Sequence, residues 1–453
     1  MNAVQLWWLL RTHTKDDRAA SARFTSLLAV IAFAATSTVA LVVVGGLLAF
    51  VRRWQEGLTV GDTPPLVYVM LAGFAVLLLI VPLATLGAAA ARLAMARRDA
   101  RLAALRLAGA TASQVSVITL LDAGAQAAVG SLIGVAGYLS VLPVVTTLSF
   151  QGRQLNLLEL WVGLPILAAT VLGVIAVGVV SAASSLQRVS VTPLGVAART
   201  TRPKLSIGRL AALVLAVVAA AVSVNLTGSF AGIFVVLVFG GFVAIAMAVL
   251  NLVGPLVLQV IGRITAASAR SAATLLAGRR IVDDPKAAWR SVGGVSIATF
   301  IAGLTSVVGA FGGVGAVNQG ERIFLADLTT GGLLTLMIAG LLAAVSTGVM
   351  QAGRLIDQRQ EHRNLVLAGT DTTTLARARL RETSIPLVAA LGTATAAVLA
   401  IMVPVVGPNI YAVPEVAGLF LASVLVTASL VLAGAWAAGS VARGLTADLV
   451  ART

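Results

Sequence analysis

Two acidic residues at the edges of hydrophobic runs are the best candidates for chemistry in this sequence. Asp122 and Glu382 each lie thirteen residues after a glycine, Gly109 and Gly369 respectively, at or near the start of the hydrophobic run that follows. Acids at such positions in membrane helices either carry protons or ions, or pair with charged neighbours. Because both lie within about two turns of the end of their run, pairing with loop arginines that orient the preceding turn is the favoured interpretation. The other polar candidates within the runs are Gln126, Asn225 and Asn251.

The remaining residue types argue against catalysis by this chain. It has no cysteine, and its two histidines, His13 and His362, lie in charged segments outside the hydrophobic runs. A nucleophile with its base, or a pair of metal-ligating histidines, is therefore not expected at membrane depth. The lysines are Lys15, Lys204 and Lys286, and none follows the glycine-rich loop that cradles nucleotide phosphates. We expect no enzyme activity, metal or cofactor in the chain itself.

The composition predicts an all-α polytopic membrane protein. Of 453 residues, 59% are hydrophobic and only 11% are charged, and the mean hydropathy is +1.00. A bilayer core requires about 20 apolar residues in a helix, and ten runs meet this length. These ten predicted transmembrane helices cover about 27–50, 66–91, 115–142, 159–185, 209–226, 230–262, 291–315, 329–352, 383–405 and 415–440.

The basic residues predict the orientation of these spans. Of the 32 lysines and arginines, 28 lie in segments that alternate to one side, and the positive-inside rule places that side in the cytoplasm. We therefore expect a multi-pass protein of the cell membrane with both termini cytoplasmic. Since topology accounts for the net charge of +15, no nucleic-acid partner is expected. The loops predicted on the outside, at about 51–65, 149–158, 227–229, 316–328 and 406–414, are too short for a folded domain.

Two cytoplasmic segments repeat. Arg97–Thr111 aligns with Glu361–Asp371 at an offset of 260 residues, which also pairs Asp122 with Glu382. Upstream, Asp16-Asp17 aligns with Asp283-Asp284 at an offset of 267. An even number of spans separates the copies, so the pattern predicts a parallel pseudo-dimer of two four-span units around a central pair of spans. The connection between the first two spans is expected to be seven residues longer in the first copy.

The residues at these segments predict sharp helix ends. Gly109 and Gly369 suit the left-handed conformation that terminates a helix. Thr111 and Gln114 form a Thr-x-x-Gln capping box for the next helix, and Asp371 can cap its counterpart. Asp284 followed by proline places an N-cap before the first helical position.

The predicted organisation has six parts. They are an interfacial N-terminal helix at 1–26, a first four-span repeat at 27–185, a cytoplasmic linker at 186–208, a central two-span pair at 209–262, a second linker at 263–290, and a second four-span repeat at 291–453. In the first part, Trp7 and Trp8 are expected to anchor the helix at the lipid headgroups, which makes membrane lipid a partner.

The repeated segment resembles the cytoplasmic signature of the FtsX-like permease family of ABC transporters, also called the MacB or type VII group. Arg97-Arg98-Asp99, Leu105-Arg106, Gly109-Ala110 and Asp122 carry the resemblance. The second copy departs from it, since Val366 replaces the arginine and Thr370 the alanine. The ten-span frame is similar to the fused permeases of antimicrobial-peptide resistance, but the short segment between spans seven and eight leaves no room for their large extracellular domain.

The resemblance implies that each repeated segment is a coupling helix that docks on a separate cytoplasmic ATPase. Two copies of that ATPase, carrying ATP and magnesium, would be the partners. The residues implied in coupling are Arg98, Asp99, Leu102, Leu105, Arg106, Gly109, Glu361, Leu365 and Gly369, with Asp122 and Glu382 as turn-orienting acids.

The function that the resemblance implies is to couple ATP hydrolysis by that ATPase to export, extraction or mechanotransmission. The substrate involved would be hydrophobic or amphipathic: a lipid, lipopeptide, antimicrobial peptide or drug. The expected substrate site is a lipid-accessible groove between the halves, lined by spans one, two, seven and eight. Two alternatives remain open on the sequence alone. One is a secondary transporter driven by an ion gradient, and the other is a membrane sensor that signals to a partner kinase.

Overall fold

The structure is a computed structural model in which residues 18–61, 63–95, 111–190, 233–314, 318–357, 364, 367, 369–406 and scattered positions between 418 and 433 are described. Its helices in chain order are α1 (Arg18–Gln55), α2 (Pro65–Met95), α3 (Ala112–Val145), α4 (Leu157–Leu160), α5 (Gly163–Ser190), α6 (Ile233–Ala267), α7 (Ala272–Asp283), α8 (Pro285–Val314), α9 (Gln319–Asp357) and α10 (Thr372–Val406). The strands β1 (Ser149–Phe150) and β2 (Arg153–Gln154) form one antiparallel hairpin.

Eight of the helices in the described ranges are long and apolar enough to cross a membrane: α1, α2, α3, α5, α6, α8, α9 and α10. The chain is therefore mostly helical, as expected of a polytopic membrane protein. These helices coincide with eight of the ten predicted spans. The predicted span at 209–226 lies outside the described residues, and the one at 415–440 is described only at scattered positions.

Helix ends follow local chemistry. The Thr111–Gln114 capping box is present at the start of α3, with both reciprocal hydrogen bonds formed. The Asp284 carboxylate accepts a hydrogen bond of 2.9 Å from the Ala287 amide at the start of α8. Gly369 has a φ of +88°, which is the left-handed conformation expected at the end of a helix.

One hydrophobic core joins the early and late parts of the chain. Buried residues from α1, α2, α6, α8, α9 and α10 belong to a single cluster. Helix α8 is the most enclosed of the eight candidate spans, since 83% of its apolar stretch is buried. Helices α6, α9 and α10 pack around it. A second, smaller cluster surrounds Tyr138, Phe150 and Leu160.

Small residues allow the closest helix contact in the first half. A Cβ atom on Gly130 would lie 2.5 Å from the Cβ of Phe33, and one on Gly134 would lie 2.5 Å from that of Ser37. The Thr38 hydroxyl donates a 3.0 Å hydrogen bond to the carbonyl of Gly134. Helices α1 and α3 therefore meet backbone to backbone, which is the packing role predicted for the Gly130-x-x-x-Gly134 pattern.

Several predicted loops are structured. The segment 316–328, predicted to be an outside loop, is helical from Gln319 onward. The predicted linker 263–290 contains the end of α6, all of α7 and the start of α8. The predicted outside loop 149–158 contains the β-hairpin and the start of α4. We call the end of the bundle where α1 finishes and α2 begins the outer end, and the opposite end the inner end.

Candidate functional site

The outer end is organised around two neighbouring arginines. Helix α1 has 38 residues, or about 57 Å at 1.5 Å per residue, which exceeds the hydrocarbon thickness of a bilayer. Its last turns therefore carry Arg52 and Arg53 beyond the apolar run. Arg52 donates hydrogen bonds to the carbonyls of Leu158, Glu159 (2.7 Å) and Trp161 (2.8 Å). It thereby satisfies carbonyls at the end of α4 that lack helical partners.

Arg53 is fully buried. Its guanidinium contacts one carboxylate oxygen of Glu159 at 2.8 and 3.0 Å. It also donates to the carbonyls of Phe150 (2.6 Å) and Gln154 (2.9 Å), one in each strand of the hairpin. A buried charge is tolerated when it is paired and its donors are satisfied, and Arg53 meets both conditions.

The tip of the hairpin is held in a rare backbone conformation. Gln151 has a φ of +57°, and it is the only non-glycine residue with a positive φ among those described. Its amide donates a 2.8 Å hydrogen bond to Oδ2 of Asp327 in α9. Since such a conformation costs about 1–3 kcal/mol for a residue with a side chain, the surrounding contacts must stabilise it.

Asp327 joins this hairpin to α2. The hydroxyl of Tyr68 donates a 2.9 Å hydrogen bond to Oδ2 of Asp327, and both side chains are buried. The ring of Tyr68 stacks on Phe50 of α1 and meets the edge of Phe324 of α9. The carboxylate is therefore a fixed structural acceptor between the two halves of the chain.

A glycine pair brings the connection between α1 and α2 against α9. A Cβ atom on Gly61 would lie 3.0 Å from the Cα of Gly320, and one on Gly320 would lie 2.7 Å from the Cα of Gly61. Gly61 also has a φ of +56°. The connection between α1 and α2 is thus packed directly against the start of α9, and side chains at either position would separate the two backbones.

The inner end contains a second cluster, around Glu382. The Arg280 guanidinium of α7 contacts the Glu382 carboxylate of α10 at 3.1 Å, and both side chains are largely buried. Glu382 thus lies in an ion pair with an arginine, but that arginine belongs to α7 and not to the turn that precedes α10.

The residue before Glu382 ties the same two helices together. Arg381 donates a 2.7 Å hydrogen bond to the Ser271 hydroxyl and another to the Thr274 hydroxyl. Ser271 is also the N-cap of α7, since its side chain accepts from the Thr274 amide. Two consecutive residues of α10 therefore fix the beginning and the end of α7.

The second predicted coupling turn is described only in part. Gly369 has the expected left-handed φ, and Asp371, just before α10, accepts a hydrogen bond from the Thr373 hydroxyl. Leu367, two residues before the glycine, has 76% of its surface exposed.

Most of the other predicted site residues lie outside the described residues: Trp7, Trp8, Arg98, Asp99, Leu102, Leu105, Arg106, Gly109, Glu361 and Leu365. Asp122 is partly buried in α3. Asn251 donates to the Met247 carbonyl and accepts a 3.4 Å hydrogen bond from the Trp289 indole. In the described part of the chain, no three His, Asp or Glu side chains come together as metal ligands would.

Three of the helices expected to line a groove between the halves contact one another in the described part of the chain. Helix α2 packs directly against α9, and α1 also reaches α9. At the outer end, Tyr68–Asp327 and Gly61–Gly320 close the same boundary. These contacts join the predicted spans two and eight at the outer end of the boundary between the halves.

Sequence patterns do not reveal the contacts that Arg52, Arg53, Tyr68 and Asp327 make at the outer end. By sequence, Arg52 and Arg53 are charges of an outside loop, and Asp327 falls in another predicted loop. Tyr68 and Asp327 are 259 residues apart, and no local spacing relates them. Comparison of the chain with protein-family models, curated proteins and solved structures gives no match.

Proposed function

We propose that this chain is the permease subunit of an ABC transporter of the FtsX-like kind, driven by a separate cytoplasmic ATPase. It would couple ATP hydrolysis to export, extraction or mechanotransmission involving a hydrophobic or amphipathic substrate. The proposal rests on the duplicated cytoplasmic segment and its resemblance to that family. The structural observation that supports it best is that α3 and α10, the helices that follow the two segments, begin at matching positions of the repeat.

Those helices begin in register. Helices α3 and α10 begin at Ala112 and Thr372, 260 positions apart. This agrees with the offset between the repeated segments. The connection between α1 and α2 is also longer than the one between α8 and α9, which is the direction expected from the change of offset.

Buried positions support the same duplication. Phe33 and Phe300 are 267 positions apart, and both are almost completely buried. At the offset of 260, Gly130 and Gly134 on α3 correspond to the buried Ala390 and Ala394 on α10. In each case small residues occupy the third helix of a unit, which packs against the first, α1 or α8. We therefore favour a parallel pseudo-dimer with α2 and α9 at its centre.

The ion pair at Glu382 favours ATPase coupling over ion coupling for this acid. A carboxylate that binds and releases a proton or sodium ion during transport must be accessible at some stage. Glu382 is instead largely buried beside Arg280, an arrangement that transmits force between α7 and α10. The turn at Gly369 leads directly into α10 at the inner end, and the Tyr68–Asp327 hydrogen bond joins α2 to α9 at the outer end. This arrangement suits a protein in which ATP-driven movement at the inner end separates helices at the outer end.

Co-expression with a candidate ATPase encoded beside this chain tests the proposal. Purified chain alone should hydrolyse no ATP, and the pair should co-purify and hydrolyse ATP when reconstituted. Leu105→Asp combined with Leu365→Asp should abolish co-purification, because each change places a charge in an apolar contact. If the combined variant retains the partner at the wild-type level, or if the chain alone drives proton-linked uptake, the proposal is wrong.

Gly369 provides a matched pair of variants for the coupling turn. Gly369→Ala introduces a Cβ at a positive φ, although nothing lies within 4 Å of it, so its effect reports backbone conformation alone. Gly46→Ala adds a methyl group in equally open space within α1. We expect Gly369→Ala to reduce stimulated ATP hydrolysis and Gly46→Ala to leave it unchanged.

A further inference from the structure

An open groove lies between α6 and α10 within their apolar spans. Its volume is about 610 Å³, and its walls include Val257 and Ile261 of α6 and Ile385, Val388 and Ala396 of α10. This volume falls within the range of about 300–1,000 Å³ typical of small-molecule sites. Both helices are candidate membrane spans, and no other described segment covers the groove, so apolar occupants suit it.

The hydroxyl groups along the groove do not make it polar. Thr265 donates its hydroxyl to the Ile261 carbonyl, and Thr393 donates to the carbonyls of Ala389 and Ala390, all within their own helices. Ser384 lies toward the inner end of the wall. The middle of the groove therefore presents methyl and methylene groups and suits a hydrocarbon chain.

The wall formed by α10 changes from apolar to basic toward the inner end. Arg381 precedes Ser384 and Ile385 by three and four residues, so it lies on the same face one turn further in. Arg377 lies one more turn in and is exposed. From Arg377 to Ala396 this face extends about 28 Å at 1.5 Å per residue, and runs from two guanidinium groups through a hydroxyl to aliphatic side chains.

Glu382, the acid next to Arg381 in the chain, lies in an ion pair with Arg280. That pair is neutral overall, so the formal charges of Arg377 and Arg381 remain at this end. Helix α7 packs against both α6 and α10 and closes the inner end with its N-terminal hydroxyls, which Arg381 contacts. The arrangement matches the polarity of a phospholipid: an anionic headgroup at the inner surface and an acyl chain in the groove.

We propose that the groove between α6 and α10 binds an anionic phospholipid of the inner leaflet. One acyl chain lies along Val257, Ile261 and Val388, and the phosphate lies at Arg377 and Arg381. Because Arg381 also holds α7, the lipid contacts the same joint that connects α7 to α10. This site does not depend on the identity of the ATPase partner or on the substrate of transport.

Native mass spectrometry of the full chain released from nanodiscs tests the site. The nanodiscs contain equal amounts of phosphatidylcholine and phosphatidylglycerol, and the number and kind of retained lipids are counted. We expect the wild type to retain phosphatidylglycerol in clear excess. Gly392→Leu should lose this lipid, because a Cβ at Gly392, a residue of the groove wall, meets nothing within 4 Å and the larger side chain fills the groove without a backbone clash.

Two controls separate the groove from the general membrane surface. Gly173→Leu adds the same side chain in open space on α5, and it should retain lipid as the wild type does. Arg377→Gln combined with Arg381→Gln should remove the preference for phosphatidylglycerol, whereas Arg322→Gln, an exposed arginine at the outer end, should not. Equal retention of the two lipids by the wild type, or undiminished retention by Gly392→Leu, would overturn the proposal.

A photo-crosslinker on Gly392→Cys identifies the occupant directly, since the chain has no other cysteine. A lipid adduct supports the proposal. An adduct to another segment of this chain, or to a protein partner, shows that protein covers the groove and overturns it.

Discussion

The hydroxyl of Tyr68 in α2 donates a 2.9 Å hydrogen bond to Oδ2 of Asp327 in α9, although the two residues are 259 positions apart in the chain. The same oxygen accepts the Gln151 amide. In the proposed repeat, Asp327 lies one position from the counterpart of Tyr68, so the bond would lie near the pseudo-twofold axis. A movement that separates α2 from α9 at the outer end must break it.

Removing the Tyr68 hydroxyl should weaken the contact between the halves. We expect Tyr68→Phe to lower the free energy of unfolding by about 1–3 kcal/mol, because it leaves a buried carboxylate without one of its donors. Denaturation in detergent micelles measures this change. Combining Tyr68→Phe with Asp327→Asn should give less than the sum of the single effects. Additive losses would show that the two side chains are not coupled.

Arg53 and Arg153 contact the same carboxylate of Glu159 but differ in burial, which makes them a matched pair. Arg53→Met should lower the free energy of unfolding by about 3–5 kcal/mol, since it removes the buried guanidinium from Glu159 and leaves the carbonyls of Phe150 and Gln154 without that donor. Arg153 is substantially exposed, so Arg153→Gln should change stability by no more than about 1 kcal/mol. Chemical denaturation of the two variants measures both changes. Equal effects would contradict the burial argument.

The eight spans that the structure describes could be predicted, because a long apolar run is visible in the sequence alone. Helix α7 could not, because its twelve residues carry charges and are too short to cross a bilayer, so they fall within a predicted linker. The position of Asp327 inside a helix could not be predicted either, for a related reason. Glu321 and Arg322 make the start of α9 look like a loop, although the helix begins before them. Only the fold reveals that Arg53 is buried, since its partners come from a hairpin about 100 residues later.

A third prediction concerns the contact between the central helix α6 and α8. A Cβ atom on Gly254 would lie only 2.0 Å from the ring of Trp289, so Gly254→Ala should destabilise the protein by about 1–3 kcal/mol. Gly241→Ala, in open space on the same helix, should not destabilise it. Adding Trp289→Leu to Gly254→Ala should recover part of the loss as measured by thermal unfolding. Failure of this rescue would place the strain elsewhere.

The predicted topology can be tested by labelling single cysteines in this cysteine-free chain. A membrane-impermeant maleimide applied to intact cells should label Thr59→Cys, which is exposed between α1 and α2. It should not label Ser268→Cys, exposed after α6, or Ser206→Cys until the membrane is permeabilised. Labelling of Ser206→Cys in intact cells would refute the predicted orientation.

The final prediction concerns the ion pair between Arg280 and Glu382, which links α7 to the start of α10. Arg280→Glu or Glu382→Arg alone places like charges about 3 Å apart in a largely buried site, and each should lower the free energy of unfolding by about 3 kcal/mol or more. Exchanging the two residues in one variant restores opposite charges and should recover most of that loss. Asp283→Asn, which removes an exposed acid from the end of the same helix, should have little effect.

In the proposed transporter the variant with Arg280 and Glu382 exchanged should also recover stimulated ATP hydrolysis, because the ion pair between α7 and α10 would form again. If stability returns but hydrolysis does not, the pair is structural only and force passes from the turn to α10 without α7.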